Sequence, residues 1–410
     1  MTGRTASVPV FDFDRLPPDW GHDPCVLRGL DGIDAVDTYG ILRSIGTAVR
    51  AGTHRRPDDV KVFTVPRVAA ELGDCLPGPG ESEFGPYARR VSQSLNVGWS
   101  VVANSAQSHS AGLYRFARDV FVRLRGTERG LPAGVSDCFI VAGSYASGPT
   151  RIHKDTADVF LYVAEGVKTM LLWPFETLVG HAPDGCDPEH EYVALGIGPE
   201  AVGTPPLRLT GVPGDVLYWP ASYWHCGESD GRPSLSLHLA THNFRDMGPV
   251  WAGAFARAGL GAPTPRWSTA EHELAAEALT FGHTAAAAAT SAVHQWGLTR
   301  HSTANFEILP DLPQRTPPDW RRATGVRAAQ RTPLSWATDA ADQRTVIVAV
   351  NGRSFRIPPR QPLVSLLTAL GDLAVGAVLS LDAWRGKDGL PADVVAVLDV
   401  AYAAGAVDAC

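Results

Sequence analysis

Two short segments of the chain carry side chains of the types that bind metal ions. His153 and Asp155 are separated by one residue, and His225 follows a run of apolar and aromatic residues further along the chain. Alternate side chains of a strand share a face, so His153 and Asp155 can point at one ion while Lys154 points away. With His225 from another strand they form the two-histidine, one-carboxylate set that leaves three positions of Fe(II) open. We therefore predict a mononuclear iron site.

A lysine close to this pattern indicates a co-substrate. Lys168 is expected on the adjoining strand, where its ammonium can pair with the distal carboxylate of 2-oxoglutarate. Thr150 can add a hydroxyl hydrogen bond to the same carboxylate. It can equally be a turn residue, because it follows Gly148 and Pro149. The lysine therefore favours a keto-acid site over a metal site of another kind.

Each ligand has a plainer interpretation when it is taken alone. A strand that carries one histidine and one aspartate is commonplace and usually forms a solvated face. His225 also fits a histidine at the edge of the core, packed among Tyr223 and Trp224. The linked pattern, with His153, Asp155, Lys168 and His225 in this order along the chain, is what favours the metal site.

Composition excludes several classes of protein. The 410 residues are 45% hydrophobic and 19% charged, with a net charge of −7, so nucleic acid is not expected as the main partner. No apolar run is long enough for a membrane span, and the first residues have no signal-type apolar core. The 6 cysteines are scattered and form no Cys-x-x-Cys pair. We expect a cytoplasmic protein, in a compartment that keeps iron ferrous.

Changes in composition and hydrophobic pattern along the chain divide it into three parts. Residues 1–245 end in many short β-type runs separated by glycine and proline, which predicts an antiparallel double-sheet barrel of the jelly-roll or cupin type. Residues 246–335 are expected to be a helical region followed by a proline-rich linker. Residues 336–410 combine a hairpin on Asn351 and Gly352 with two helical patterns, which predicts a winged-helix-like α+β domain.

The linked motifs resemble the JmjC group of Fe(II)/2-oxoglutarate oxygenases, and in particular the ribosomal oxygenases that hydroxylate histidyl or arginyl residues. The likeness spans about residues 95–245. The residues that carry it are His153, Asp155, Asp158, Val159, Phe160, Leu161, Glu165, Gly166, Lys168, Gly214, Asp215, Leu217, Tyr218, Pro220, His225, Ser236, Leu237, His238 and Leu239.

The resemblance implies roles for these residues. His153, Asp155 and His225 would be the iron ligands and Lys168 the 2-oxoglutarate anchor. Further positions extend the predicted pocket. Thr150, Asn104 and Ser236 are expected beside 2-oxoglutarate, and Tyr162, Trp224 and His238 beside the substrate. The group also carries a helical dimerisation region and a C-terminal winged helix, so a homodimer is considered.

The predicted function is hydroxylation of an amino-acid side chain in a protein or ribosomally made peptide, with Fe(II), 2-oxoglutarate and O2, releasing succinate and CO2. The extra domains favour this reaction, because a free amino acid needs no further recognition surface. Two alternatives stay open. One is an oxygenase or N-demethylase of a small metabolite or free amino acid, and the other is a non-catalytic metal-binding scaffold. No nucleic acid or membrane partner is expected.

Overall fold

The computed structural model describes residues 10–12, 20–28, 33, 36–54, 56, 59–132, 134–146, 148, 150–243, 271–312 and 315–410. The chain forms two compact units. One comprises Met1–Arg245 with Ile308–Asp311, and the other Asp246–Glu307 with Leu312–Cys410. Residues 244–270, which include the start of the helical region predicted from residue 246, lie outside the described residues.

The first unit is built mainly from strands in two sheets. Its strands are β1 Val10–Asp12, β2 Cys25–Arg28, β3 Val60–Val65, β4 Gly98–Ala103, β5 Ser136–Ser144, β6 His153–Lys154, β7 Ala157–Glu165, β8 Lys168–Pro174, β9 Val193–Ala194, β10 Leu207–Gly211, β11 Val216–Trp219, β12 Tyr223–Glu228 and β13 Ser234–His242. Its helices are α1 Thr38–Arg50, α2 Leu72–Cys75, α3 Phe84–Leu95, α4 Ala111–Arg125 and α5 Phe175–Leu178.

The two sheets are antiparallel except for one pair of strands. The larger sheet has the order β1-β2-β11-β7-β13-β5-β4-β3, and the smaller has the order β10-β8-β12-β6-β9. Among the strands that the structure describes, only β1 and β2 pair in parallel. The sheet-rich, antiparallel, cupin-like arrangement confirms the fold class predicted for this unit.

The inner faces of the two sheets share one apolar core. Leu161 and Val163 of β7 belong to the same buried cluster as Met170 and Leu172 of β8, which lies in the other sheet. The cluster is held by burial of branched side chains, each worth about 1.5–3 kcal/mol when fully removed from water. This core fixes the distance between the sheets near the metal-ligating residues.

Helix α3 covers the outer face of the larger sheet. Tyr87 of α3 meets Trp99 of β4 edge-on, with ring centroids 5.8 Å apart. The indole Nε1 of Trp99 donates a 2.8 Å hydrogen bond to Ser92 Oγ. Aromatic packing and a satisfied indole thus join helix to strand, which leaves the inner face free for chemistry.

The second unit contains one long helix and two three-stranded sheets. Its elements are α6 Glu271–Ser302, β14 Gly325–Ala328, β15 Ser335–Thr338, β16 Val346–Val350, β17 Arg353–Ile357, α7 Gln361–Gly371, β18 Val378–Ser380, α8 Ala392–Ala403 and β19 Val407–Ala409. The sheets have the orders β18-β14-β19 and β15-β16-β17. None of the helices in the described part of the chain combines the length and apolar character needed to cross a bilayer.

Local sequence signals in this unit have mixed outcomes. The predicted hairpin is present, because Asn351 and Gly352 both have positive φ between β16 and β17. Part of the stretch expected to be a linker instead contributes to the core. Trp320 and Val326 are buried there, and Val326 belongs to strand β14. The prolines of this stretch led to the prediction of a linker, although it contains the short strand β14 and apolar residues of the core.

Candidate metal centre

Strand pairing brings the two histidines together. β6 and β12 are antiparallel neighbours, and His153 is directly opposite His225 in their register. Directly paired residues of a ladder point to the same face of the sheet, and the two ring centroids are 4.2 Å apart. Asp155 follows β6, and its Oδ2 lies 3.4 Å from His225 Nε2. The three side chains therefore form one cluster, as the sequence predicts.

Backbone carbonyls orient both imidazole rings. His153 Nδ1 lies 2.9 Å from the carbonyl of Arg151, and His225 Nδ1 lies 3.4 Å from the carbonyl of Tyr223. A ring whose Nδ1–H faces a carbonyl presents an unprotonated Nε2 for coordination. One ligand atom from each of the three residues lies within 4.8 Å of the others. The donor set, its spacing and its orienting contacts all fit a divalent ion.

The local environment sets the protonation states that metal binding requires. Burial lowers the pKa of His153 to about 4, and the neighbouring His225 acts in the same direction. Burial opposes ionisation of Asp155, yet the neighbouring imidazoles of His225 and His153 hold its pKa well below the usual range. At neutral pH His153 is neutral and Asp155 is ionised, and these are the forms that coordinate metals.

A buried cation lies further along the same face of the smaller sheet. Lys168 is 3% exposed, and its Nζ donates a hydrogen bond to the hydroxyl of Tyr145. A Cβ atom added at Gly227 would lie 3.5 Å from Lys168 Nζ and 3.4 Å from the Tyr145 hydroxyl. Gly227 is two residues after His225 on β12, a separation of about 7 Å along a strand. The glycine leaves room between the metal ligands and the ammonium.

The opposite wall carries a neutral histidine. His238 is 5% exposed, stacks on Phe139 at 4.3 Å between ring centroids, and shares a 2.9 Å hydrogen bond with Ser236. Burial holds the pKa of His238 well below its ordinary value, and the charges of Lys168 and His225 act in the same direction. Trp219 lies beside both His225 and His238. Ser236 and His238 thus lie on the face of the larger sheet that carries Trp219, which contacts His225, and their contact with 2-oxoglutarate or substrate stays a prediction.

Two other predicted pocket residues occupy less direct positions. Thr150 is partly buried in a turn whose Gly148 donates a 2.6 Å backbone hydrogen bond to Gly227. Asn104 follows β4, in the register that places Val102 opposite Val141. This puts Asn104 on the face that carries Ser236, two strands away from it. The turn of Thr150 therefore adjoins the space near Lys168, and Asn104 lies farther along the sheet.

The interpretation of Trp224 as a substrate-pocket residue is wrong. Trp224 is 0% exposed and belongs to a separate apolar cluster with Trp173 and Cys226. Its Nε1 donates a 3.0 Å hydrogen bond to the carbonyl of Phe175. Adjacent residues of a strand point to opposite faces, so the residue before the ligand His225 must turn away from the metal centre.

Tyr162 is also wrongly placed by the sequence prediction. It pairs with Leu237 of β13, whereas its neighbour Leu161 pairs with His238. Tyr162 therefore lies on the face of the larger sheet opposite to the one that carries His238. Its face depends on the register between β7 and β13, which no local pattern in the sequence reveals.

Three residues of the site escaped the sequence interpretation. Tyr145 follows β5 and reaches Lys168 only because the sheets are closed against each other. Gly227 is recognisable by its spacing from His225, since it lies two residues further on the same strand. Tyr192 precedes β9, and its ring centroid is 5.6 Å from that of His153. Of these three, only Gly227 could have been predicted from the sequence, because it is two residues from His225 and so lies on the same face of the strand.

Comparison with known proteins agrees with this architecture. No protein-family model and no curated protein matches the chain. Among solved structures, the X-ray structure of E. coli ycfD matches with a TM-score of 0.51 at 14% identity, and the match covers 96% of each chain. The chain shares the fold of ycfD.

Further structures of the same Escherichia coli protein match less closely. One describes YcfD as a ribosomal oxygenase and has a TM-score of 0.46 at 15% identity, with 86% of each chain covered. Another contains YcfD with cobalt and 2-oxoglutarate, with a TM-score of 0.42 at 14% identity. It covers 76% of this chain and 78% of YcfD.

Loss of one ligand should abolish tight metal binding. We expect His225→Ala and Asp155→Asn each to weaken Mn(II) binding by more than about 100-fold, because loss of an outer-shell partner alone costs about 10- to 100-fold. Titration of Mn(II) followed by electron paramagnetic resonance measures this. His190→Ala is the control, since His190 is exposed and outside the cluster. Equal affinity in the ligand variants and the control would contradict the assigned centre.

Trp224 should behave as a core residue. We expect Trp224→Ala to lower the free energy of unfolding by about 3–5 kcal/mol, as is usual when a buried tryptophan is truncated. Urea denaturation measures the loss. Tyr192→Ala, at a side chain that is 57% exposed, should change it by less than about 0.5 kcal/mol. Equal free energies of unfolding for the two variants would contradict the burial of Trp224 in the core.

Proposed function

We propose that the protein is an Fe(II)- and 2-oxoglutarate-dependent hydroxylase of an amino-acid side chain in a protein or peptide, releasing succinate and CO2. One observation carries the proposal. The cluster of His153, Asp155 and His225 shares a sheet face with the buried Lys168, and Gly227, which contacts Lys168, places no side chain between them. This arrangement fits a short keto diacid. One end of the diacid would chelate the metal, and the carboxylate at its other end would pair with the ammonium of Lys168.

Iron at this centre would be held by His153 Nε2, Asp155 and His225 Nε2. Bound Fe(II) supplies the activation of O2 that is coupled to decarboxylation of the keto acid. The protein supplies position and charge. Lys168 would pair with the distal carboxylate, and the Tyr145 hydroxyl, which accepts a hydrogen bond from Lys168 Nζ, would donate its own proton to the same carboxylate. Thr150, Asn104 and Ser236 remain proposed contributors to this end of the pocket.

The wall of the proposed pocket next to His225 is aromatic. Trp219, Phe139 and the neutral His238 surround the space next to His225. An apolar lining strengthens the pairing of Lys168 with a carboxylate and limits side reactions with water. The role proposed for His238 is to line this space beside the substrate carbon.

A macromolecular substrate is supported by two features. YcfD, which shares the fold, is described as a ribosomal oxygenase. The second unit adds a surface that a free amino acid does not need. We further propose that this unit is winged-helix-like from residue 336 and that the protein acts in the cytoplasm. A homodimer formed through the helical region stays a prediction.

Succinate release tests the reaction and its substrate class together. The iron-loaded protein with 2-oxoglutarate and O2 is assayed with peptides from ribosomal proteins and, separately, with free amino acids. We expect succinate release to rise with a peptide and to be absent in His153→Ala. Stimulation by a free amino acid alone would favour the small-molecule alternative. No succinate under any condition would favour the non-catalytic scaffold.

Lys168 should govern the affinity for 2-oxoglutarate. We expect Lys168→Met to raise the apparent Kd for 2-oxoglutarate by about 10- to 100-fold, because a hydrogen bond to a charged group is worth about 1.5–3 kcal/mol. Metal affinity should stay the same. Calorimetric titration of the Mn(II)-loaded protein measures both, with Lys61→Met on the exposed side of β3 as the matched control. An unchanged Kd would remove Lys168 from the site.

A further inference from the structure

Solvent reaches the metal centre from one side. His225 is 3% exposed, whereas Asp155 keeps 28% of its side chain exposed and His153 is partly exposed. The open side of the cluster is therefore the side of His153 and Asp155. Tyr192 lies on this side, because its ring centroid is 5.6 Å from that of His153. A side chain that reaches the cluster past His153 therefore comes close to Tyr192.

Tyr192 is exposed to an unusual degree for an aromatic residue. Its exposed fraction is 57%, and it is the only aromatic among the exposed large hydrophobic residues of the described chain. Tyrosine offers a large, stiff and amphipathic contact area at low entropic cost, and it is enriched at the centres of binding surfaces. An exposed tyrosine beside the candidate metal centre is therefore a candidate for contact with a substrate.

The backbone holds Tyr192 in place. It is followed directly by β9, in which Val193 pairs with Lys154 and Ala194 pairs with His153. The pairing continues through Leu195, whose N–H donates a 2.9 Å hydrogen bond to the carbonyl of Ile152. The metal ligand His153 thus lies on the strand next to β9, and the exposed tyrosine lies immediately before β9.

A buried lysine holds the loop that precedes Tyr192. Lys154 is 3% exposed, and its Nζ donates a 2.6 Å hydrogen bond to the carbonyl of Pro188. Within the loop, the carboxylate of Glu191 accepts a 2.5 Å hydrogen bond from the N–H of Asp187. Burial of an ammonium is unfavourable unless it has hydrogen-bond partners, so the bond to Pro188 ties the loop firmly to the strand of the ligands.

We propose that Tyr192 is a specificity-determining residue, which packs against the peptide segment flanking the side chain that is hydroxylated. Lys154 is the positioning residue that holds the loop of residues 183–192 in the orientation this contact needs. The inference rests on the proposed function, because it requires a peptide substrate. It replaces Trp224 with Tyr192 as the aromatic side chain at the mouth of the site.

Peptide binding tests the role of Tyr192. The protein is loaded with Mn(II) and 2-oxoglutarate without O2, and its binding to short peptides tiled across bacterial ribosomal proteins is measured. We expect Tyr192→Ala to weaken binding of the recognised peptides by about 10-fold or more, and Tyr192→Phe to retain it. Val212→Ala, at another exposed apolar residue of the same unit, is the control. Unchanged binding by Tyr192→Ala would overturn the proposal.

The same samples separate failure of the inference from failure of the proposed function. The affinity for 2-oxoglutarate is measured alongside and should be equal in wild type, Tyr192→Ala and Val212→Ala. Wild-type protein that binds 2-oxoglutarate but no peptide would overturn the role of Tyr192 and leave the oxygenase chemistry standing. Wild-type protein that does not bind 2-oxoglutarate would overturn the proposed function itself.

A double-mutant cycle tests Lys154. We expect Lys154→Met, which keeps the apolar stem and removes the donor, to weaken peptide binding as Tyr192→Ala does. The double variant should bind no more weakly than Tyr192→Ala alone, because both changes remove one contact. A purely structural role for Lys154 would give additive losses and a lower affinity for 2-oxoglutarate. Additive losses, or full peptide binding by Lys154→Met, would contradict the positioning role.

Discussion

The site depends on the register between β6 and β12. His153 lies opposite His225 in this pairing, and carbonyls two residues before each histidine face its Nδ1. A slip of one residue would turn one histidine to the other face of the sheet and separate the ligands. Gly227 follows His225 by two residues on β12, and the pairing of β12 with β8 places Lys168 further along the same face. The metal ligands and the proposed keto-acid subsite thus depend on two strand pairings within one sheet.

The two faces of the smaller sheet have different tasks. The inner face carries the ligands, Gly227 and Lys168, whereas the outer face packs Trp224 with Trp173 in a core of its own. Along each of these strands, residues that point to the metal centre therefore alternate with residues that pack in the outer apolar core. Lys154 extends this division, because it lies between two ligands and yet points to the loop that carries Tyr192. A substitution on the outer face therefore affects the metal ligands only if it displaces the backbone of their strand.

Sequence reasoning succeeded where the chemistry lies within one strand. The step from His153 to Asp155 shows its common face directly, and the hairpin at Asn351 follows from local turn preference. It failed where the answer depends on pairing between distant strands, as for Tyr162, or on closure of the sheets, as for Tyr145. Trp224 is a different failure. Its parity with His225 was visible in the sequence, but the neighbouring aromatic residues were interpreted as one surface. The position of Tyr192 depends on a loop anchored by a buried lysine, and no periodicity predicts that.

The central claim is that one face of the sheet holds both a metal and a keto acid. Its most direct test is anaerobic addition of 2-oxoglutarate to the Fe(II)-loaded protein, followed by visible absorption. The account predicts a charge-transfer band in the wild-type protein, its loss in Asp155→Ala, and a higher 2-oxoglutarate concentration for half-saturation in Lys168→Met. A wild-type protein that binds Fe(II) but develops no band at any 2-oxoglutarate concentration would contradict it.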